Sequence, residues 1–493
     1  MRALKITSFS MASKNTIIAS LFWKFFERIG TQLIQFGVSI ALARILAPND
    51  FGLVALITIF INVATVFVQS GLNTALIQKK NADDLDFSTV FIASLGIAAF
   101  VYAILFFSAP LISDFYNQES LTPVIRVLSL TLFIGVFNSI QNAYISKHMM
   151  FKKLFFRSVG AMLPSGAIGI GLALTGFGVW ALVYQQLSNI LIAVIIMWFT
   201  VPWRPSLKFS AQRIKGLFSF GWKLLCSSLL DVTFSNLRGL VIGKCFTPSD
   251  LAYYNRGDTF PYLAINNINA SISAVMLPAL SSCQDDRPQF KKMMRRSIIT
   301  STFIIIPMMA GLAAMAESVV KIVLGDAWLP CVPFVQLSCI MYAFYPIHTS
   351  NLSAINAMGR SDIFLKLEII KKIQGLALLI GSYLYFKTPI GIAYGALVAS
   401  LICTFINVHP NKKLIGYGYL EQIKDILPSI FLSSLMGGVV YALGLIEMNI
   451  YFKIVLQIIA GICFYFGIAK ILHFERLEYL IQTIKEFREK HGK

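Results

Sequence analysis

Residues 20–51 read SLFWKFFERIGTQLIQFGVSIALARILAPNDF, and residues 221–251 read GWKLLCSSLLDVTFSNLRGLVIGKCFTPSDL. Each begins with a Trp-Lys pair, Trp23-Lys24 and Trp222-Lys223, and runs through a long apolar stretch. Each closes on a base followed by Pro-x-Asp: Arg44 then Pro48-Asn-Asp50, and Lys244 then Pro248-Ser-Asp250. Proline cannot continue a helix and Asp can cap the next one, so both closings read as a short turn between two long helices. The landmarks recur about 200 residues apart, and fainter matches follow, Thr74-Ala-Leu with Pro278-Ala-Leu and Leu121-Thr-Pro123 with Cys331-Val-Pro333. The chain therefore reads as a duplication.

Outside these segments the sequence is just as apolar. Of 493 residues 57% are hydrophobic and only 13% charged, about half the share found in soluble domains. Mean hydropathy is +0.72. That excludes a soluble enzyme and a nucleic-acid binder, and the net charge of +19 needs another explanation. Apolar stretches between polar or Pro/Gly-marked breaks predict about fourteen spans, at 15–43, 52–76, 88–110, 123–146, 154–175, 178–200, 216–243, 253–280, 296–316, 333–357, 362–384, 389–408, 425–445 and 450–472. The expected fold is an all-α polytopic membrane protein. Six spans separate the two copies, so they share one membrane orientation and form parallel repeats. The expected organisation is a six-helix lobe over 1–200, a cytoplasmic linker over 201–215, and a second six-helix lobe over 216–408. Two further helices occupy 409–472, and an amphipathic cytoplasmic tail 473–493.

Alternate connections hold 27 Lys and Arg on one side and 5 on the other. This imbalance puts both termini in the cytoplasm and accounts for most of the net charge through insertion topology alone. The connection after the fourth span is counted with four bases, Lys147, Lys152, Lys153 and Arg157, the last of which falls just inside the span at 154–175. Ten bases remain in or at the ends of spans: Lys24, Arg28, Arg126, Lys223, Arg238, Arg256, Lys366, Lys371, Lys372 and Lys470. Charges inside a membrane normally face a bundle interior or a watery cavity.

At 100° per residue, Ser20, Lys24, Glu27, Arg28, Thr31, Gln35 and Ser39 share an arc of about 120° on the first span, and Lys223, Ser227, Asp231 and Arg238 one of about 80° on the seventh. Both stripes carry a surplus of base over acid, with Glu27 and Asp231 as charge partners. Facing a common space, with Arg44 and Lys244 at its outer mouth, they would form a cationic vestibule, to which the eighth span adds Arg256. Gln35, Gln69, Asn73, Asn266 and Asn267 are candidate contacts for sugar hydroxyls, although helix-to-helix bonding is the commoner use of such amides. Guanidinium and ammonium groups of this kind suit a pyrophosphate. The seven cysteines and five histidines are scattered, with no C-x-x-C pair, so no metal site, cofactor site or redox motif is spelled out.

The run Phe26-Glu27-Arg28-Ile-Gly-Thr through Ala43-Arg44-Ile-Leu-Ala-Pro48-Asn-Asp50-Phe51-Gly52 resembles the opening of bacterial polysaccharide exporters of the MATE-like MOP superfamily. Ala252-Tyr-Tyr-Asn-Arg256, Val275-Met-Leu-Pro278-Ala-Leu and Gly325-Asp-Ala-Trp328 are similar to them as well. The resemblance is to the colanic-acid and O-antigen (Wzx-type) flippases. It implies two six-helix lobes, two extra C-terminal helices and a V-shaped cavity opened alternately to either side of the bacterial plasma membrane. It also implies a cargo, an oligosaccharide on undecaprenyl pyrophosphate, with membrane lipid and other polysaccharide-assembly proteins as partners, and no nucleic acid. Two alternatives stay open on the residues alone. A cation-coupled drug exporter of the same fold would need unpaired membrane carboxylates, and a membrane polymerase or glycosyltransferase would need a larger outer loop.

Overall fold

The computed structural model describes residues 14–69, 71–472, 474 and 477. The basic N-terminal segment and the expected amphipathic tail over 473–493 lie outside the described residues, Phe474 and Leu477 excepted. Among the described residues there is no strand. The chain divides into two compact units, residues 1–251 and 252–493.

Unit 1 contains α1 (Lys14–Ile45), α2 (Pro48–Gln69), α3 (Leu72–Gln78), α4 (Asp84–Tyr116), α5 (Leu121–Leu128), α6 (Thr131–Lys147), α7 (Phe151–Leu174), α8 (Val179–Thr200) and α9 (Ala211–Cys245). The chain passes to unit 2 within α10 (Pro248–Ser281). There follow α11 (Arg287–Ala314), α12 (Ala316–Val323), a 3-10 turn at Asp326–Cys331, α13 (Val332–Ala343), α14 (Tyr345–Ala357), α15 (Ser361–Phe386), α16 (Pro389–Ile415), α17 (Tyr419–Gly444) and α18 (Ile450–Ile471). Among the described residues, twelve segments are long and apolar enough to cross a membrane. Helices α1 and α15 have the length as well, and their charges, Lys24, Glu27 and Arg28 in one and Lys366, Glu368, Lys371 and Lys372 in the other, are what lower their apolarity. The division between the units falls at Leu251, beyond the 201–215 connection, because α9 packs on α2, α3 and α4.

Two of the expected spans are broken, and they are corresponding spans of the repeat. The span expected at 123–146 is α5 plus α6: the Thr131 hydroxyl takes the Leu128 carbonyl at 2.6 Å, and the Leu132 N–H turns to Ser129 instead. The span expected at 333–357 is α13 plus α14, where Pro346 has no N–H for the Tyr342 carbonyl. The second span also stops early. Gly71 separates α2 from α3 with φ of +66°, and a Cβ there would lie 2.1 Å from the Gly221 carbonyl oxygen of α9, so only glycine fits both the backbone conformation and the contact.

The Pro-x-Asp turns start α2 and α10 with proline as the first helical residue. The acid does not itself occupy the cap position. Thr247 does, its hydroxyl receiving the Asp250 N–H at 3.2 Å, while Asp250 reaches back to the Thr247 N–H at 3.0 Å and hydroxyl at 2.7 Å, a capping box. In the first copy Asp50 accepts from the Ala47 and Val179 backbone and so ties the start of α2 to the first turn of α8.

The core of unit 1 gathers Val90, Ala98, Val136, Ile140, Met197 and Trp203; that of unit 2 gathers Leu280, Met294, Ile298, Ile347, Ala354 and Tyr417. Many large apolar side chains point outward, among them Phe107, Leu111, Phe199, Tyr385, Phe431 and Phe452. In water such a surface would aggregate; on these spans it faces acyl chains.

Candidate functional site

In unit 1 the polar stripe of α1 is held on α7. Gly166 of α7 admits Val38, whose Cγ2 would stand 2.5 Å from any Cβ placed there, and Trp23 meets Phe155 at 5.6 Å between ring centroids. On this helix Lys24 Nζ lies 2.8 Å from Glu27 Oε2, with 52% of the lysine and 14% of the glutamate side chain exposed. Arg28 and Ser39 are half-buried, while Gln35 and Arg44 are exposed. Thr31 turns its hydroxyl back on its own helix, to the Glu27 carbonyl at 2.6 Å.

Sequence reasoning missed the residue that completes this group. Arg157, counted with the basic connection before it, lies inside α7. Its Nη1 donates to Asn138 Oδ1 at 3.0 Å and Asn142 Oδ1 at 2.8 Å, and its Nη2 to Ser158 Oγ at 2.8 Å. Ser158 Oγ donates in turn to Glu27 Oε1 at 3.3 Å. The available signal was Asn138 and Asn142, two amides four residues apart on the neighbouring helix, whose oxygens meet one donor.

On α9, Lys223, Ser227 and Asp231 are exposed and Arg238 is half-buried. Lys244 bonds to the Phe115 carbonyl at the end of α4 and sits 4.2 Å above the Phe115 ring. It stands beside a cleft of about 500 Å³ lined by Phe60, Leu111, Phe115, Tyr116 and Leu240. Gln69 is exposed, and Asn73 is half-buried with its amide oxygen unbonded among the described residues.

In unit 2, Arg256 stacks over Trp328 at 5.6 Å, and Asn266 and Asn267 are half-buried on the same helix. An acid outside the stripe pattern lies two residues on. Asp258 accepts from Tyr342 at 3.0 and 3.1 Å and from Ser338 at 3.3 Å. Asn269 accepts from Thr349 at 2.6 Å, a bond between helices. His348 is held between Asn407 at 2.9 Å and Thr404 at 3.2 Å. An apolar cleft of about 440 Å³ opens among α11, α17 and α18, against Phe303, Pro307, Met436 and Tyr465. Among the described residues no group of three or more His, Cys, Asp and Glu could hold a metal ion.

Of the expected site residues, then, Lys24 and Glu27 are brought into contact, with Arg28 on the same helix. Lys244 and Arg256 each find an aromatic ring within their own unit.

The model of a family described as polysaccharide biosynthesis protein matches residues 41–333. The chain is 26% identical over 428 residues to the lipopolysaccharide biosynthesis protein WzxC of Escherichia coli (strain K12), covering 85% of each chain. It is 23% identical over 423 residues to the teichuronic acid biosynthesis protein TuaB of Bacillus subtilis (strain 168), covering 83% of this chain and 86% of that one. Among solved structures it is similar to the lipid II flippase MurJ in an inward closed conformation, with a TM-score of 0.74 at 16% identity over 93% of this chain and 99% of that chain. An inward-facing multidrug resistance MATE family transporter of the MOP superfamily follows, with a TM-score of 0.57 at 16% identity over 78% and 95%. The fold is of this MurJ and MATE kind.

Proposed function

The chain belongs to the polysaccharide biosynthesis protein family, and from that premise we propose that it carries undecaprenyl-pyrophosphate-linked oligosaccharides across the bacterial plasma membrane by alternating access, as a carrier and not as an enzyme. Both termini would lie in the cytoplasm, in keeping with the distribution of Lys and Arg. The pyrophosphate is held by Lys24, Arg28, Lys223 and Arg238, with Arg256 and Arg44 adding positive potential along the path. The prenyl chain stays in lipid, and the sugars cross through water past Gln35, Gln69, Asn73, Asn266 and Asn267. Glu27 and Asp231 hold or release the bases as the carrier changes state. The glycan serves a surface polysaccharide, and other assembly proteins supply and receive it.

The observation that carries this reading is the α1 stripe, where two bases and one acid stand on a helix otherwise faced with Phe22, Phe25, Phe26 and Leu33. Three charges on a membrane helix are costly, by about 2.5–3.5 kcal/mol each on insertion scales. Packing alone does not call for the surplus base. An exporter of cationic drugs fits less well, because Glu27 is already paired with Lys24 at 2.8 Å. The test is Arg28→Glu in a strain dependent on this chain: surface polysaccharide is lost while the protein remains in the membrane. Wild-type polysaccharide from this variant, or drug resistance that Lys24→Gln and Arg28→Gln leave intact, overturns the reading.

A further inference from the structure

Glu27 has two basic suitors. It rests on Lys24 at 2.8 Å, and its other oxygen is separated from Arg157 by a single hydroxyl, that of Ser158. Arg157 is fixed from the far side by Asn138 and Asn142, both on Nη1. Its Nε is buried and, among the described residues, has no hydrogen-bond partner.

Two other arginines of this chain show what that edge of a guanidinium takes. Arg295 binds Asp425 through Nε at 2.7 Å and Nη2 at 2.6 Å. Arg360 binds Asp362 through Nε at 2.9 Å and Nη2 at 2.8 Å. On Arg157 the same edge holds only the Ser158 hydroxyl, with the Glu27 carboxylate directly behind it. Amide and hydroxyl dipoles compensate a partly buried cation incompletely, whereas a bidentate carboxylate does so well.

We propose that Glu27 exchanges between Lys24 and Arg157. In the empty carrier it neutralises Lys24. When an anionic headgroup reaches Lys24 and Arg28, Lys24 turns to the incoming anion and Glu27 moves onto the Nε and Nη2 edge of Arg157. The carboxylate is paired in both states, so binding leaves no bare acid in the membrane, and its return to Lys24 helps to eject the anion. Arg157 is thus a positioning residue, acting on the cargo through Glu27. This inference rests on the reading of α1 as the anion site.

The experiment is titration of purified protein in nanodiscs with inorganic pyrophosphate, followed by calorimetry. Glu27→Gln removes the competitor and should tighten binding about tenfold; Arg157→Gln removes the second resting place and should weaken it about tenfold. Arg157→Gln on top of Glu27→Gln should change affinity by less than about threefold, since there is no carboxylate left to position. Ser158→Ala gives the opposite sign with little risk to folding. It removes the hydroxyl between Glu27 and Arg157, drawing Glu27 away from Lys24 in the empty carrier and tightening binding several-fold. The exchange is overturned if Arg157→Gln costs its full factor even in the Glu27→Gln background, if it leaves the affinity unchanged, or if Ser158→Ala fails to tighten binding. If wild-type protein and a Lys24→Gln/Arg28→Gln variant alike ignore pyrophosphate, the anion-site reading itself falls, and the exchange with it.

Discussion

Replacing Asp425 by alanine should loosen α17 from α11. Asp425 is 5% exposed and accepts three hydrogen bonds, two from Arg295 at 2.7 and 2.6 Å and one from Tyr417 at 2.8 Å. Tyr417 is fully buried, and burial followed by the neighbouring carboxylate pushes its phenol well above the usual range, so the phenol stays protonated and keeps donating. Truncation orphans that hydroxyl, at about 1–3 kcal/mol. Losing the partner of a wholly buried base would add about 3–5 kcal/mol. The Arg295 side chain is 55% exposed, however, and water takes over most of its donors, so only about 1 kcal/mol of that applies. The expected loss is about 2–4 kcal/mol, against about 1–2 kcal/mol for Asp425→Asn, which keeps an acceptor for Tyr417. Equilibrium unfolding by SDS titration in mixed micelles reads both. A double-mutant cycle with Tyr417→Phe should show coupling of about 1 kcal/mol or more, because the phenylalanine change costs little once the carboxylate is gone. Asp425→Ala unfolding within about 0.5 kcal/mol of wild type would mean that the carboxylate does not hold α17 to α11.

Three further outcomes follow from the geometry. Gly71→Ala should destabilise unit 1 by at least about 2 kcal/mol in the same titration, through the positive φ and the clash with Gly221; a neutral result would mean that the break between α2 and α3 is not as described. Asp83 carries a pKa lowered below the usual carboxylate value: burial opposes this but is outweighed by the Asp86 backbone N–H and the Arg213 guanidinium. Its contribution is therefore present above the ordinary carboxylate range and is lost as pH falls through the lowered value. The stability gap between wild type and Arg213→Gln should accordingly be full near pH 7 and close only as pH falls below the ordinary carboxylate range; a gap independent of pH counts against it. Ser227→Cys, in a background free of other cysteines, should react with a charged, membrane-impermeant maleimide and be protected by pyrophosphate, whereas labelling only by a lipid-soluble reagent would place the α9 stripe in acyl chains.

The spans were legible because apolar length is a strong signal, and the two polar stripes because charge on an apolar helix is rare. What escaped was governed by tertiary contact or by local bonding that hydropathy does not record. The breaks between α5 and α6 and between α13 and α14 depend on the Thr131 hydroxyl and on Pro346, single residues in otherwise continuous apolar runs. Arg157 follows Lys152 and Lys153 by only a few residues and so reads with the basic connection, while its setting inside α7 depends on amides of the preceding helix. Asp258 falls outside any stripe of mixed charge, and its partners, Tyr342 and Ser338, lie 84 and 80 residues away. Arg256 was legible as a membrane arginine, but its stacking on Trp328 required the fold.

If bases on α1 and α9 carry an anionic headgroup through the membrane, translocation must fail when their charge is reversed. Proteoliposomes containing the purified chain and a fluorescent oligosaccharide on a prenyl pyrophosphate, with label in the outer leaflet removed enzymatically, measure this directly. Wild-type protein should make the inner-leaflet pool accessible, and Arg28→Glu/Lys223→Glu, equally well reconstituted, should not. Equal translocation by both proteins would show that these bases do not carry the headgroup.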